Sequence, residues 1–199
     1  MDITAEKKAL RRKLLPMLKA MPEDLRRCSD DQIRLAALSM PEFQQANSLF
    51  IFIGCDWEVD TWPLIEAALA EGKRVAAPRC LPQKRMEARL IQSRADLERV
   101  APLGLYEPAE AKPLLAPCDI DLALIPCIAC DKEGRRLGRG GGYYDRFLRQ
   151  SRFLRAALCR NAVLRRRLPS QTHDVSMDMI ITESGVYRLR DDGAPNIHG

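Results

Sequence analysis

Residues 135–148 read R-R-L-G-R-G-G-G-Y-Y-D-R-F-L, with Gly138, Gly140, Gly141 and Gly142 packed into one short loop. Without a Cβ, such a backbone can take positive φ and turn successive amide N–H groups toward one anion. Tyr144, Phe147 and Leu148 follow at helical spacing. The pattern therefore predicts a helix over 143–148, with the loop at its N-terminus, where the dipole favours phosphate. Asp145 falls in the first turn of that helix, placed to hold a metal ion against the phosphates. Arg135, Arg136 and Arg139 bring positive charge to the same anion. The segment is not a Walker A loop, because no Lys-Ser/Thr pair follows the glycines. Nor is it the dinucleotide fingerprint, because Tyr143 stands where the third glycine belongs. A tight turn flanked by solvated arginines explains each feature singly, but not glycines, cations and a first-turn carboxylate together.

The elements that must position this loop can be read in order. Thr4 is the expected N-cap of an amphipathic helix with Leu10, Leu14, Met17, Leu18 and Met21 on its apolar side and a kink near Pro16. Lys7 and Arg11 lie one turn apart on it, and local spacing alone reads them as surface charges. A second helix starts at Pro22 or at the capping box Ser29-x-x-Gln32, buries Leu25, Ile33, Ala36, Ala37 and Met40, and ends at Pro41. Leu49 to Ile53 is an apolar run suited to a strand buried on both faces. A loop from Gly54 to Asp60 follows, then a helix capped by Thr61 that runs to Gly72, then a strand from Arg74 to Ala77 stopped by Pro78. This β-loop-α-β order predicts a parallel sheet with ligands at the C-terminal ends of its strands. Glu58 sits in the loop after the first strand, where such a sheet puts functional groups, although a carboxylate there can equally serve only the helix dipole.

Further on, Met86 to Ile91 alternates weakly, Ser93-x-x-Asp96 opens a short helix, and Gly104 to Pro108 reads as a turn-like connection. Asp121 to Ile125 is the expected central buried strand, leading into the glycine loop. Ala156 to Cys159 and Met179 to Thr182 are further strands, and Asn161 to Arg167 is a helix or loop. The reading is one α/β domain over 1–190 and a frayed tail over 191–199.

Composition narrows the function classes. The 199 residues are 46% hydrophobic, enough for a substantial core, and the longest apolar run falls far short of the ~20 residues of a membrane helix. With no signal-peptide pattern, the expected location is cytoplasmic, with no membrane partner. The net charge of +5 suits anionic small molecules. Aromatics at 6% do not interleave with the basic residues, which argues against nucleic acid, and Arg165 to Arg167 read as a solvated helix face. Seven cysteines, an odd number, read as reduced thiols in or beside apolar segments (Cys55, Cys118, Cys127, Cys130, Cys159). Cys127 and Cys130 have CxxC spacing, but zinc needs two more ligands and no second pair is present.

Taken together, K-K-A-L-R at 7–11, E-V-D-T-W-P-L-I at 58–65, G-K-R-V-A-A-P-R at 72–79, G-L-Y-E-P at 104–108, the glycine segment at 136–148 and H-D-V-S-M-D at 173–178 carry a resemblance over nearly the whole chain. The chain resembles the 5-formyltetrahydrofolate cyclo-ligase family, also called 5,10-methenyltetrahydrofolate synthetases. The resemblance implies a single-domain three-layer α/β/α fold with a mostly parallel sheet, similar to ribose-5-phosphate isomerase and the CoA transferases. It implies ATP binding by Lys7, Lys8, Ala9, Leu10 and Arg11 and by Arg136, Leu137, Gly138, Arg139, Gly140, Gly141, Gly142, Tyr143 and Tyr144. Mg2+ would be held by Asp145 and Asp178, and the folate faced by Glu58 and by Arg139 to Tyr143. Arg136, Arg139 and Tyr143 take the catalytic roles. The implied partners are ATP, Mg2+ and 5-formyltetrahydrofolate, with or without a polyglutamate tail, acting on a monomer or weak homodimer.

The implied chemistry suits these residue types. A formamide oxygen is a poor leaving group, so it takes the γ-phosphoryl of ATP, N10 attacks the resulting iminophosphate, and phosphate departs. Such a reaction needs positioning and charge neutralisation more than a protein nucleophile. The chain departs from the family pattern where P-C-I-A-C-D stands for P-G-V-A-F-D, so that Cys127 replaces a glycine and Cys130 an aromatic residue, and the usual aromatic and glutamine positions are not evident near 157–161. These changes concern the pocket walls. They motivate a rival reading in which ATP and Mg2+ act on another carboxamide or carboxylate. A second rival is a non-catalytic folate or nucleotide binder, or a basic module that touches RNA.

Overall fold

Each inner strand carries apolar side chains on both faces, and that pattern sets the architecture. The computed structural model describes residues 2–100, 104–150 and 152–189, so the tail expected over 191–199 lies outside the described residues. The chain runs through α1 (Ile3–Lys19), α2 (Glu23–Ser39), α3 (Pro41–Gln45), β1 (Ser48–Ile51), α4 (Trp62–Ala70), β2 (Arg74–Leu81), β3 (Arg85–Ile91), β4 (Leu97–Val100) and β5 (Leu105–Pro108). It continues with β6 (Leu122–Pro126), β7 (Ala129–Asp131), β8 (Arg136–Leu137), α5 (Tyr143–Leu148), β9 (Leu154–Leu158), β10 (Leu164–Arg165), β11 (Met179–Thr182) and β12 (Gly185–Arg188). A seven-stranded sheet has the order β12-β11-β9-β6-β1-β2-β3, parallel from β11 to β2 and antiparallel at both edges. β6 is the middle strand, as its apolar run predicts. Leu49 pairs with Leu122 and Phe50 with Ala123.

The period of two along these strands makes three layers. Leu49, Ile51, Leu122, Leu124, Ala156 and Ile181 face one core with Ile33 of α2 and Leu64 of α4. Phe50, Ala123, Ile125, Ala157 and Ile180 face the other, with Leu14 and Leu18 of α1 and Phe147 of α5. Shifting one strand by a single residue would exchange its two faces, so the register is firmly set. Among the described residues no helix is long and apolar enough to cross a membrane.

Several local expectations are corrected. The side chain of Asp2, not Thr4, caps α1 by accepting from the Thr4 amide at 2.9 Å. α1 runs through Pro16 as one helix, with Met17 exposed. Pro22 caps α2, which leaves Ser29 inside the helix, and Leu25 is exposed. Pro41 ends α2 and also opens α3. Pro78 does not stop β2: beyond Ala76 that strand pairs with β3 alone, so an imino residue without N–H leaves no donor missing from the ladder with β1. Residues 105–108 form β5, paired with β4. β12 lacked any alternating signal, and β7 and β8 form a small hairpin with β10 that intervenes before the glycine loop. Arg165 lies in β10 and not on a helix face. Cys118 is exposed, unlike the buried thiol expected of it.

Candidate active site

The glycine loop hangs from a rigid stem. Asp131, wholly buried at the end of β7, accepts from the amides of Glu133, Arg135 and Leu168 at 2.7–3.0 Å and from the Arg135 guanidinium at 3.1 Å. This many donors satisfy a buried carboxylate and fix the β7–β8 turn. Arg135 is thereby committed to Asp131 and Glu133 and not to an anion at the loop. Gly140 and Gly142 have φ of +97° and +73°, a backbone that only glycine takes readily, and a Cβ on Gly140 would sit 3.2 Å from the Arg11 guanidinium carbon. Among the described residues, the amides of 139–142 have no protein acceptor. α5 begins directly after them, but with six residues it adds only a short dipole, so the free amides and nearby cations carry most of the loop's affinity for an anion.

Two residues of the 7–11 segment converge on this region from the opposite end of the chain. Arg11 donates from Nε to the Gly138 carbonyl at 2.7 Å. Lys7, one turn earlier and buried, pairs with Asp174 at 2.5 Å. Burial works to raise the Asp174 carboxyl, but Lys7 and the Gln171 amide outweigh it and hold that group below the usual carboxylate range. Leu10 packs on the core, and Lys8 and Ala9 face solvent, since a helix turns only every fourth residue to the same side.

Beneath the loop, Arg136 has a nearly buried side chain whose Nη2 donates to Asp145 Oδ1 at 3.0 Å, and the Val175 amide reaches the same oxygen at 3.2 Å. Among the described residues the second oxygen of Asp145 has no hydrogen-bond partner. Tyr144 packs its ring on Phe50 and under the Arg136 guanidinium, and burial pushes its phenol well above the ordinary tyrosine range. Tyr143 lies beside Gly141, where an added Cβ would meet its ring at 3.0 Å. Asp178 is held elsewhere: Arg155 binds both its oxygens, at 2.9 and 3.2 Å, which ties the start of β11 to β9 and does not present it as a metal ligand.

The loop after β1 supplies the opposite wall. Glu58 Oε1 accepts from Arg139 Nε at 3.1 Å and forms an ion pair with its Nη2 at 3.0 Å, and the same guanidinium stacks on Trp57 at 4.9 Å and donates from Nη2 to Cys55 Sγ at 2.6 Å. Burial opposes the charge on Arg139, but Glu58 and Cys55 together offset it and raise its pKa. Burial, with the Glu58 charge, pushes the Cys55 thiol up to about 11, so it is no nucleophile. Buried Arg160 anchors this loop through the Glu58 carbonyl at 3.1 Å and α2 through Ser29 and Asp30. The carboxylate that the sequence singled out thus meets the glycine loop directly, through Arg139. Trp57, Cys55, Asp131 and Asp174 were missed, because only folding brings them to it.

Fold and site together define a three-layer α/β protein with an amide-lined, arginine-flanked loop at the C-terminal edge of its parallel strands, suited to gripping a polyanion. The family model described as "5-formyltetrahydrofolate cyclo-ligase family" matches residues 3–183. A mitochondrial 5-formyltetrahydrofolate cyclo-ligase of Arabidopsis thaliana is 32% identical over 216 residues, covering 94% of this chain and 78% of that protein. The Escherichia coli K12 5-formyltetrahydrofolate cyclo-ligase is 29% identical over 155 residues, 75% of this chain and 85% of its own length. The solution structure of an Aquifex aeolicus 5,10-methenyltetrahydrofolate synthetase superposes with a TM-score of 0.84 at 32% identity, over 96% of this chain and 97% of that one. The chain belongs to the 5-formyltetrahydrofolate cyclo-ligase family.

Proposed function

We propose that the protein converts 5-formyltetrahydrofolate to 5,10-methenyltetrahydrofolate at the expense of ATP, releasing ADP and phosphate. The formyl oxygen takes the γ-phosphoryl group, and N10 closes the ring as phosphate leaves. The observation that carries this reading is the set of unpartnered amides at 139–142, ringed by Arg11, Arg136 and Arg139, in a chain of this family. Those amides and Arg11 bind the phosphates, and Arg136 and Arg139 offset charge that builds on the transferred group. Tyr143 borders the reacting groups beside Gly141. The residues fit a magnesium ion: Asp145 has one oxygen uncommitted next to the loop, and a hard dication there would neutralise phosphate charge. Asp178, spent on Arg155, is left out of that role.

Glu58 and Trp57 form the folate wall. Arg139, clasped between them, is shared by the nucleotide and folate sides. A monomer or weak homodimer in the cytoplasm, with no nucleic acid or membrane partner, goes with this reading. The test is incubation with ATP, Mg2+ and 5-formyltetrahydrofolate, followed by the absorbance band of the methenyl product. A folded protein that binds ATP yet yields no band favours the rival in which another carboxamide or carboxylate is the acceptor.

A further inference from the structure

Outside the residues assigned to the reaction, three thiols meet behind the cleft. Cys127 follows β6 and Cys159 follows β9, two neighbouring parallel strands, while Cys130 lies three residues beyond Cys127 in β7 of the small sheet. Their sulfur atoms all lie within 4.8 Å of one another. Cys130 and Cys159 are buried, whereas Cys127 is half-buried and borders a small cavity of about 10 Å³ with Trp57, Glu58 and Arg160. Its thiol donates to the Leu158 carbonyl at 3.2 Å. A second, independent feature adjoins them: Nε of Arg136 is buried with no hydrogen-bond partner, and its guanidinium is within electrostatic reach of Cys130.

We propose that Cys127, Cys130 and Cys159 form a binding site for a thiophilic divalent cation of the zinc and cadmium class. The geometry needs little adjustment. A metal about 2.3 Å from each of three thiolates holds the sulfurs roughly 4 Å apart, so the trio closes by less than ~1 Å. Three thiolates and one dication leave a net charge of minus one, less than the thiolates alone would carry, and the Arg136 guanidinium, paired with Asp145, lies within electrostatic reach of Cys130. Each thiol gives up its S–H proton to solvent as its sulfur–metal bond forms, with no change in oxidation state. Hydrogen bonding within the trio and burial hold the Cys127 thiol well above the ordinary cysteine range, so only a cation with strong affinity for sulfur displaces the proton. Magnesium, a hard cation, does not. The fourth coordination position falls to the side of Cys127, where a cavity of about 10 Å³ has room for one water. CxxC spacing alone shows two ligands. The third comes from the end of another strand.

The test uses the full-length, reduced protein and cadmium as probe. Titration is expected to raise the ultraviolet sulfur-to-cadmium charge-transfer band to saturation at one ion per chain. Cys127→Ser, at the partly exposed position, loses the saturable band. The double variant Cys28→Ser/Cys118→Ser, which changes only exposed thiols, keeps it. Absence of a saturable band in the wild type overturns the site. So does a band that survives Cys127→Ser or vanishes in the double variant. The readout involves neither ATP nor folate, so it stands apart from the outcome of the turnover assay.

Discussion

Asp145 has two duties that substitution can separate. Its Oδ1 neutralises an Arg136 side chain that is 3% exposed, at 3.0 Å, while the metal-binding role proposed above falls to its other oxygen. Asp145→Ala strands that guanidinium. Removing one partner of a buried pair costs 3–5 kcal/mol, and because Asp145 is itself 25% exposed the cost falls at about 3 kcal/mol. For a chain of this size that lowers the melting temperature by roughly 6–12 °C. Asp145→Asn keeps an acceptor for Arg136 and for the Val175 amide, so the cost falls to about 1 kcal/mol, or roughly 2–4 °C. Turnover does not follow stability. Both variants lose the anionic metal ligand, and about 3 kcal/mol of lost transition-state stabilisation is a fall of ~100-fold in kcat. Thermal melts and magnesium titrations of kcat on both variants decide the matter. An Asn variant that turns over like wild type at ordinary magnesium concentrations refutes the assignment, and equal melting temperatures for Ala and Asn refute the role given to the buried pair.

Other consequences can be checked in parallel. Arg11→Met should raise KM for ATP by ~10–100-fold, the worth of a charged contact of about 1.5–3 kcal/mol, while KM for the folate stays unchanged; a shift in the folate value alone would contradict the division of the site. Gly140→Ala forces a side chain onto a backbone at φ +97° beside Arg11, so nucleotide affinity measured by calorimetry should fall while the fold, read by circular dichroism, persists. Asp174, held low in the folded protein, stabilises it above the unfolded value of about 3.9 and ceases to do so as pH falls through its folded value. Lys7→Met removes the main partner, so the midpoint of acid unfolding should move to higher pH, and an unmoved midpoint would discount the pair. Phe50→Ala, in the wholly buried centre of the sheet, should cost about 3–5 kcal/mol in urea unfolding with no selective effect on either substrate.

Where a signal is local, the sequence carries it. Leu122 to Ile125 and Met179 to Ile181 are unbroken apolar runs, and they form inner strands. The glycines, Asp145 and the first turn of α5 lie within a few residues of one another, so their relation survives folding unchanged. Pro78 misled because its local meaning, a break, holds only where a strand needs its N–H, and one-sided pairing removes that need. Lys7 and Arg11 looked like surface charges because their partners lie more than a hundred residues away. Asp174 and Asp178 are alike in sequence context, yet only the folded chain turns one to Lys7 and the other to Arg155. No spacing rule reaches such pairs, since they depend on which strands become neighbours.

The buried clamp at Asp131 confines motion as well as shape. Behind Leu137 the chain is pinned by paired backbone and a satisfied carboxylate, and beyond Tyr143 it enters a helix packed on Phe50 and Phe153. The freedom an arriving nucleotide must take away is therefore limited to residues 138–142, at about 1–2 kcal/mol for each residue not already settled. A longer supple segment would make the same contacts at weaker affinity. A stiffer one, with side chains in place of the glycines, could not wrap the anion at all.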